Sequence, residues 1–180
     1  MTRYIAFLRA INVGGHTVKM ESLRQIFEDL GLSKVETFIA SGNVIFETSR
    51  TDPDAIEEII QSKLRTFLGY EVAAFLRTDQ DVSFIANYLP FSKARLDAAE
   101  ALNVAFLKVT PSDASIQKLM TLKTDIDDFH IHKREIYWLC QKKQSESTFS
   151  NAVLEKTIGS QSTMRGINTI KKMAEKYSAA

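Results

Sequence analysis

Apolar residues along the chain fall into short continuous runs and longer stretches with helical spacing. Residues 4–8 form a continuous apolar run that includes aromatic side chains, which predicts a strand buried on both faces. From Met20 to Leu30 apolar side chains return every three or four residues, which predicts a helix. Two further runs, 35–40 and 44–46, flank Ser41-Gly42-Asn43, a sequence typical of a hairpin turn. The chain therefore begins in the order strand, helix, strand, strand.

The next stretch completes a unit of a familiar kind. Asp52-Pro53 predicts a helix N-cap followed by proline in the first turn, and apolar spacing carries this helix to Gly69. Residues 72–76 predict a fourth strand, and residues 78–88 predict a closing helix. This order of four strands and two intervening helices, with one helix added, is the ferredoxin-like pattern.

The second half of the chain repeats this order. Val104-Ala105-Phe106-Leu107 follows Ile5-Ala6-Phe7-Leu8 at a separation of 99 residues. The later elements are predicted as a helix over 112–122, a hairpin over 129–140, a helix over 150–159, a weak strand over 162–165 and a helix over 167–177. We expect an α+β protein of two ferredoxin-like halves related by internal duplication, residues 1–92 and 93–180, which can pack as one compact unit.

The separation between corresponding positions decreases along the chain. It is 99 residues at the first strands, 92 at the hairpin turns, and 88 between Arg77 and Arg165. We expect most of this change in the connection after the first strand, from Ala10 to about Lys19, because that connection is nearly absent from the second half.

Composition limits the kinds of protein that this chain can be. Its 180 residues carry 23 basic and 22 acidic side chains, a net charge of +1, which does not favour nucleic-acid binding. No apolar stretch approaches the ~20 residues of a membrane span, and the start of the chain does not read as a signal peptide. The single Cys140 cannot form an internal disulfide. We therefore expect a cytoplasmic protein that does not contact membranes.

Several motifs together resemble one protein family. They are Phe7-Leu8-Arg9, Asn12-Val13-Gly14-Gly15, residues 37–46, Leu154-Glu155-Lys156, Gly159, Thr163, Arg165 and Asn168-Thr169. On these residues the chain is similar to the domain-of-unknown-function family 1697, an uncharacterised bacterial family. After Arg165 the family usually has Asn and then Trp, whereas this chain has Gly166-Ile167. The resemblance implies the fold and a bacterial-type protein, but it implies no activity.

The first candidate site is the loop after the first strand. Adjacent glycines allow backbone N–H groups to approach a ligand, and the start of the following helix favours anions. Because the end of the first strand and the hairpin turn should lie at one edge of the sheet, we expect a cation, backbone N–H donors and polar side chains to converge there. They are Arg9, Asn12, Gly14, Gly15, His16, Ser41 and Asn43. The alternative is that the glycines only make a tight turn and that the polar groups bond to one another.

Other residues with chemical potential are weaker candidates. Arg165, Asn168 and Thr169 form a secondary candidate site at the start of the last helix, although they can equally cap the helix and pair with a carboxylate. His130 and His132 lie on one face of a strand without a clear third ligand, so we expect no metal. Cys140 is predicted to be a small core residue, and the sequence contains no cofactor-binding motif.

Three functions are compatible with the sequence. The leading hypothesis is a protein that binds a small, anionic ligand at the loop after the first strand, and whether it is an enzyme is left open. The alternatives are a nucleic-acid-binding module that uses a sheet face, and a protein–protein interaction module. The sequence does not specify the oligomeric state.

Overall fold

Strands and helices follow one another in the same order through both halves of the chain. The computed structural model describes residues 1–12, 14–39 and 42–178. The first half contains β1 (Thr2–Leu8), α1 (Met20–Glu28), β2 (Ser33–Thr37), β3 (Asn43–Thr48), α2 (Pro53–Leu68), β4 (Ala74–Thr78) and α3 (Asp79–Asn87). The second half contains α4 (Lys93–Ala98), β5 (Ala101–Phe106), α5 (Asp113–Met120), β6 (Asp127–His132), β7 (Glu135–Cys140), a short 3₁₀ helix (Gln144–Glu146), α6 (Asn151–Ile158), β8 (Thr163–Gly166) and α7 (Ile167–Tyr177). The predicted α+β fold of two ferredoxin-like halves is confirmed.

The two sheets have the same topology. Their strand orders are β2-β3-β1-β4 and β6-β7-β5-β8, and neighbouring strands are antiparallel. Ile5 pairs with Arg77 on β4, and Val104 pairs with Arg165 on β8. Corresponding residues therefore occupy corresponding positions in the two sheets, as an internal duplication requires.

Local capping residues fix the ends of α2 and of its counterpart α6. The Asp52 side chain accepts hydrogen bonds from the backbone N–H groups of residues 54 and 55, and Ser150 caps α6 by accepting from Val153 N. Gly69 and Gly159 end these helices in the left-handed conformation, at φ of 80° and 71°. The N-cap predicted at Asp52 and the helix ends predicted at Gly69 and Gly159 are confirmed.

The two halves differ in length at two connections. The connection from β1 to α1 spans 9–19, whereas that from β5 to α5 spans only 107–112, so the extra loop is confirmed. The connection from β7 to α6 is longer than that from β3 to α2, and α6 has 8 residues where α2 has 16. A longer connection thus replaces the first two turns of the helix, with little net change in length.

Two other elements differ from the prediction. β2 ends at Thr37 rather than continuing to residue 40, and Ile39 has a positive φ of 58°, which is incompatible with a strand. α4 was not predicted because this short helix has no buried residue and hence no apolar repeat. Ser92 caps it by accepting from Arg95 N.

The chain divides into two compact units. One comprises Met1–Phe84 with the segment that begins at Met173, and the other comprises Ile85–Lys172. The first core gathers Phe27, Phe46 and Ile60, and the second gathers Trp138 and Phe149, with other apolar side chains in each. The proposed domain limit at residues 92 and 93 stays a prediction. Within the described parts of the chain, no helix is both long and apolar enough to cross a bilayer.

Candidate functional site

The end of β1 and the β2–β3 turn lie side by side at one edge of the first sheet. Phe7 is paired with Asn43, and the backbone N–H of Leu8 donates to the Gly42 carbonyl at 2.9 Å. On the other side of β1, the backbone N–H of Arg9 donates to the Ala73 carbonyl at 2.9 Å. The backbone positions predicted to converge are therefore adjacent, with β3 directly beside β1.

The base of the loop after β1 is anchored by two hydrogen bonds, one within the loop and one from Tyr70. Asn12 Oδ1 accepts from the backbone N–H of Val18 at 2.9 Å, which closes the loop on itself. The Tyr70 hydroxyl donates to the Ile11 carbonyl at 2.8 Å, and burial raises the pKa of Tyr70, so this donor stays protonated at neutral pH. Ile11 and Val18 are buried. The loop thus has a fixed base, while Val13 at its centre lies outside the described residues.

The two glycines stand at the exposed end of this loop. Gly14 and Gly15 have positive φ values of 62° and 84°. A Cβ at Gly15 would have no heavy atom within 4 Å, and one at Gly14 would meet only His16 Cδ2 at 4.0 Å. Both glycines are therefore required for backbone conformation and not for close packing. His16 is exposed, and its ring stacks on Tyr70 with centroids 4.1 Å apart.

The hairpin residues contribute less than expected to a ligand pocket. The Asn43 side chain is fully buried, and its Nδ2 donates to the Phe38 carbonyl at 2.9 Å, so this amide closes the hairpin. Ser41 lies outside the described residues. The predicted set therefore includes two residues whose side chains make structural hydrogen bonds, Asn12 and Asn43, and an exposed group formed by Gly14, Gly15 and His16.

The loop begins and ends next to basic residues, Arg9 and Lys19. Arg9 is half-buried at the end of β1, and Lys19 is exposed at the N-cap position of α1. The Lys19 side chain makes no capping hydrogen bond to the first turn of α1. A helix start without a side-chain cap retains backbone N–H groups that can donate hydrogen bonds to an anion.

The secondary candidate residues have separate environments. Arg165 is buried and donates from Nη1 to Thr163 Oγ1 and to the Met164 carbonyl, both at 2.8 Å. Burial lowers the pKa of Arg165 to about 10, so the guanidinium remains charged at neutral pH. Asn168 and Thr169 lie in the first turn of α7 and line a cavity in the second half. Sequence reasoning named this segment but did not foresee the cavity.

The later histidines belong to an aromatic cluster. His130 Nε2 and the Tyr88 hydroxyl are 2.9 Å apart, and the Tyr88 ring lies 4.5 Å from that of His132 and 5.4 Å from that of Tyr137. Burial lowers the pKa of His130. In the described ranges no three His, Cys, Asp or Glu side chains form a group that could hold a metal ion. Cys140 is buried, and burial raises the pKa of its thiol, which disfavours the reactive thiolate.

Known proteins resemble the chain in family and in fold. The model of a family described as protein of unknown function, DUF1697, matches residues 1–137. The solved structure of a conserved bacterial protein, SP0830 from Streptococcus pneumoniae, is 24% identical to the chain with a TM-score of 0.80. The match covers 98% of each chain, and at this identity it shows the fold alone. No curated protein matches the chain.

Proposed function

The chain belongs to the DUF1697 family of proteins of unknown function, and we propose that it binds a small anionic ligand at the loop that follows β1. One observation carries this proposal: Gly14 and Gly15 hold positive φ at an exposed loop end although neither position is sterically crowded. Exposed backbone in this conformation can turn its N–H groups toward an anion.

The anchored base supports binding because it limits the motion that a ligand would have to arrest. The Asn12–Val18 and Tyr70–Ile11 hydrogen bonds hold both ends of the glycine segment. A loop that is ordered before binding loses less conformational entropy when the ligand arrives. His16 is positioned on the Tyr70 ring, so its imidazole is also held near the loop end.

The surrounding charge favours an anion. Arg9 and Lys19 flank the loop, and the first turn of α1 lacks a cap from the Lys19 side chain. A phosphate, sulfate or carboxylate could accept hydrogen bonds from these donors, and such charged bonds are the stronger ones in proteins. Glu21 in the first turn of α1 opposes this attraction and favours a small ligand that stays on the loop side.

The nucleic-acid alternative needs an exposed sheet face. Residues 5–8 of β1 are all buried, as are residues 103–106 of β5. Because successive strand residues point to opposite faces, both faces of these central strands are covered. This burial favours a loop site over recognition of RNA on a sheet, and the near-neutral charge agrees. Cytoplasmic location remains part of the proposal, supported by the lone, buried Cys140.

The test compares two glycine variants with matched backbone requirements. Gly31 has φ of 78° and, like Gly15, no heavy atom within 4 Å of an added Cβ. Gly15→Val and Gly31→Val should therefore strain the backbone alike, but only Gly15→Val should abolish anion binding. Arg9→Ala should weaken binding by about 10- to 100-fold if its contact is a charged hydrogen bond worth ~1.5–3 kcal/mol.

Calorimetric titration with inorganic phosphate, sulfate and a panel of phosphorylated or carboxylated metabolites provides the measurement. Wild type and Gly31→Val should bind the same anion with the same affinity. The proposal is wrong if no anion binds wild type, or if Gly15→Val binds as well as Gly31→Val does.

A further inference from the structure

A cavity of about 410 Å³ opens in the second half, beside the start of α7. Its lining includes the apolar side chains of Leu89, Leu96 and Ile167. Asn103 on β5 and Gly166 on β8 also line it, and these two residues are paired across the strands. The volume lies within the range of small-ligand pockets, about 300–1,000 Å³.

Asn103 supplies the main evidence that this cavity can bind a ligand. The residue is only 8% exposed, and its Nδ2 atom is buried without a hydrogen-bond partner in the described part of the chain. More than about nine in ten buried polar groups in proteins have a partner, because an unpaired one loses its hydration without compensation. A buried amide donor that lines a cavity therefore indicates that an acceptor can occupy the cavity.

The start of α7 adds donors on the same side. α7 begins at Ile167, immediately after β8 ends at Gly166, and Asn168 and Thr169 of its first turn line the cavity. The first N–H groups of a helix have no partner within the helix and carry partial positive charge. Lys171 also lines the cavity. Together with Asn103, these groups suit a carboxylate.

Two acidic residues line the cavity from a different segment. Asp97 on α4 and Glu100 just before β5 are exposed and belong to the cavity lining. An ammonium group is the natural counterpart of such carboxylates. A ligand that is only an anion would meet repulsion there, whereas a ligand with charges of both signs would satisfy both segments.

We propose that this cavity binds a small zwitterion of the α-amino-acid class. The carboxylate accepts hydrogen bonds from Asn103 and the start of α7, and the ammonium group faces Asp97 and Glu100. Apolar side chains such as Leu96 contact the ligand's hydrocarbon part. This site is independent of the loop after β1.

The first experiment measures binding of each of the twenty common L-amino acids to the full chain by calorimetry and by ligand-observed NMR. At least one should bind wild type with a stoichiometry of one per chain. Asn103→Leu replaces the unpartnered amide with an apolar side chain of similar size. It should lower the affinity at least 10-fold without lowering the melting temperature, because no hydrogen bond within the protein is lost.

A second variant fills part of the cavity and keeps Asn103 in the chain. Gly166 has an ordinary φ, and a Cβ there would stand 3.8 Å from Asn103 Oδ1, an ordinary contact. Gly166→Val should therefore be accommodated in β8, where β-branched residues are favoured, and should lower the affinity at least 10-fold. If Asn103→Leu fails to fold, the affinity of Gly166→Val tests the proposal in its place.

The charge assignment has its own control. The double variant Asp97→Asn with Glu100→Gln should weaken binding of the amino acid several-fold but should not weaken binding of the matching carboxylic acid that lacks the amino group. Gly15→Val should bind the amino acid like wild type, which separates this site from the loop site. The proposal is overturned if no amino acid binds wild type, or if Gly166→Val binds as wild type does.

Discussion

Replacing Gly42 with alanine tests whether the β2–β3 turn is held against the loop after β1. Gly42 has φ of 81°, and an added Cβ would stand 2.8 Å from Ile11 Cγ2 and 3.2 Å from Leu8 Cβ. The first distance is shorter than real Cβ contacts, and both neighbours are buried, so they cannot swing into solvent. The Leu8 N–H to Gly42 carbonyl hydrogen bond lies at the same place and would be disturbed by any shift.

The expected loss of stability has two parts, the cost of a left-handed backbone and the cost of crowding. Left-handed backbone costs a non-glycine residue roughly 1–2 kcal/mol, and overpacking a buried position costs about 1–3 kcal/mol more. Gly42→Ala should therefore lower the free energy of unfolding by roughly 2–5 kcal/mol. Gly69 has nearly the same φ, 80°, with no heavy atom within 4 Å of an added Cβ. Gly69→Ala should thus show only the conformational part.

Urea unfolding followed by far-UV circular dichroism gives the comparison. With a slope of about 1–3 kcal/mol per molar urea, the excess loss in Gly42→Ala over Gly69→Ala should move the midpoint by roughly 1 M. Trp138, the single tryptophan, reports on the second unit by fluorescence and shows whether the two units unfold together. Equal losses for the two variants would refute the close approach of Gly42 to Ile11 and with it the fixed loop base.

Two further predictions concern the pH dependence of stability and the buried arginines. In the folded protein, desolvation and then the neighbouring His132 lower the pKa of His130 below its ordinary value of 6.5. As the pH falls below 6.5, the unfolded chain therefore takes up this proton before the folded protein does. Wild-type stability should be constant above that pH and decrease as pH falls from 6.5 through the native pKa. His130→Gln should decrease less between pH 7.5 and 5.5 in urea titrations, and equal decreases would contradict the assignment. Arg77 donates from Nη1 to the Leu76 carbonyl at 2.8 Å, and Arg165 donates from Nη1 to the Met164 carbonyl at the same distance. Because each substitution removes a charged hydrogen bond, Arg77→Met and Arg165→Met should each lower the free energy of unfolding by about 1.5–3 kcal/mol. A negligible loss in either variant, by the same titration, would show that its arginine is not an equivalent structural element.

The fold could be predicted where the determining interactions are local. Asp52 and Gly69 specify the ends of α2 through their own hydrogen bond and conformation, and these appear directly in the sequence. β8 forms although its residues favour strands poorly, because Thr163–Gly166 pairs with β5 along its whole length. Such pairing is a property of the folded chain and overrides local preference.

The candidate site was harder to predict because a polar side chain has two common uses. Asn43 was expected to face a ligand, but the same amide also suits a hairpin, and the structure shows it bonded to Phe38. Asn103 carried no sequence signal beyond being polar at the start of a strand. The surroundings of its side-chain amide are set by the end of β8 and the start of α7, which lie more than 60 residues further along the chain. The sequence around Asn103 therefore could not reveal that this amide nitrogen has no partner among the described residues.

The two proposed sites arise from divergence between the repeated halves. Tyr4 and Asn103 hold the same position in their sheets, paired with Thr78 and Gly166 respectively. Tyr4 is buried in the first core, where its ring stacks on Phe46 at 5.8 Å. The second half has a smaller residue at both of these paired positions, which removes side-chain volume where the cavity opens. Conversely, the first half alone has the long glycine-containing connection after its first strand. A duplicated scaffold has thus been altered at different points in each copy, which explains why one half carries an exposed loop and the other a cavity.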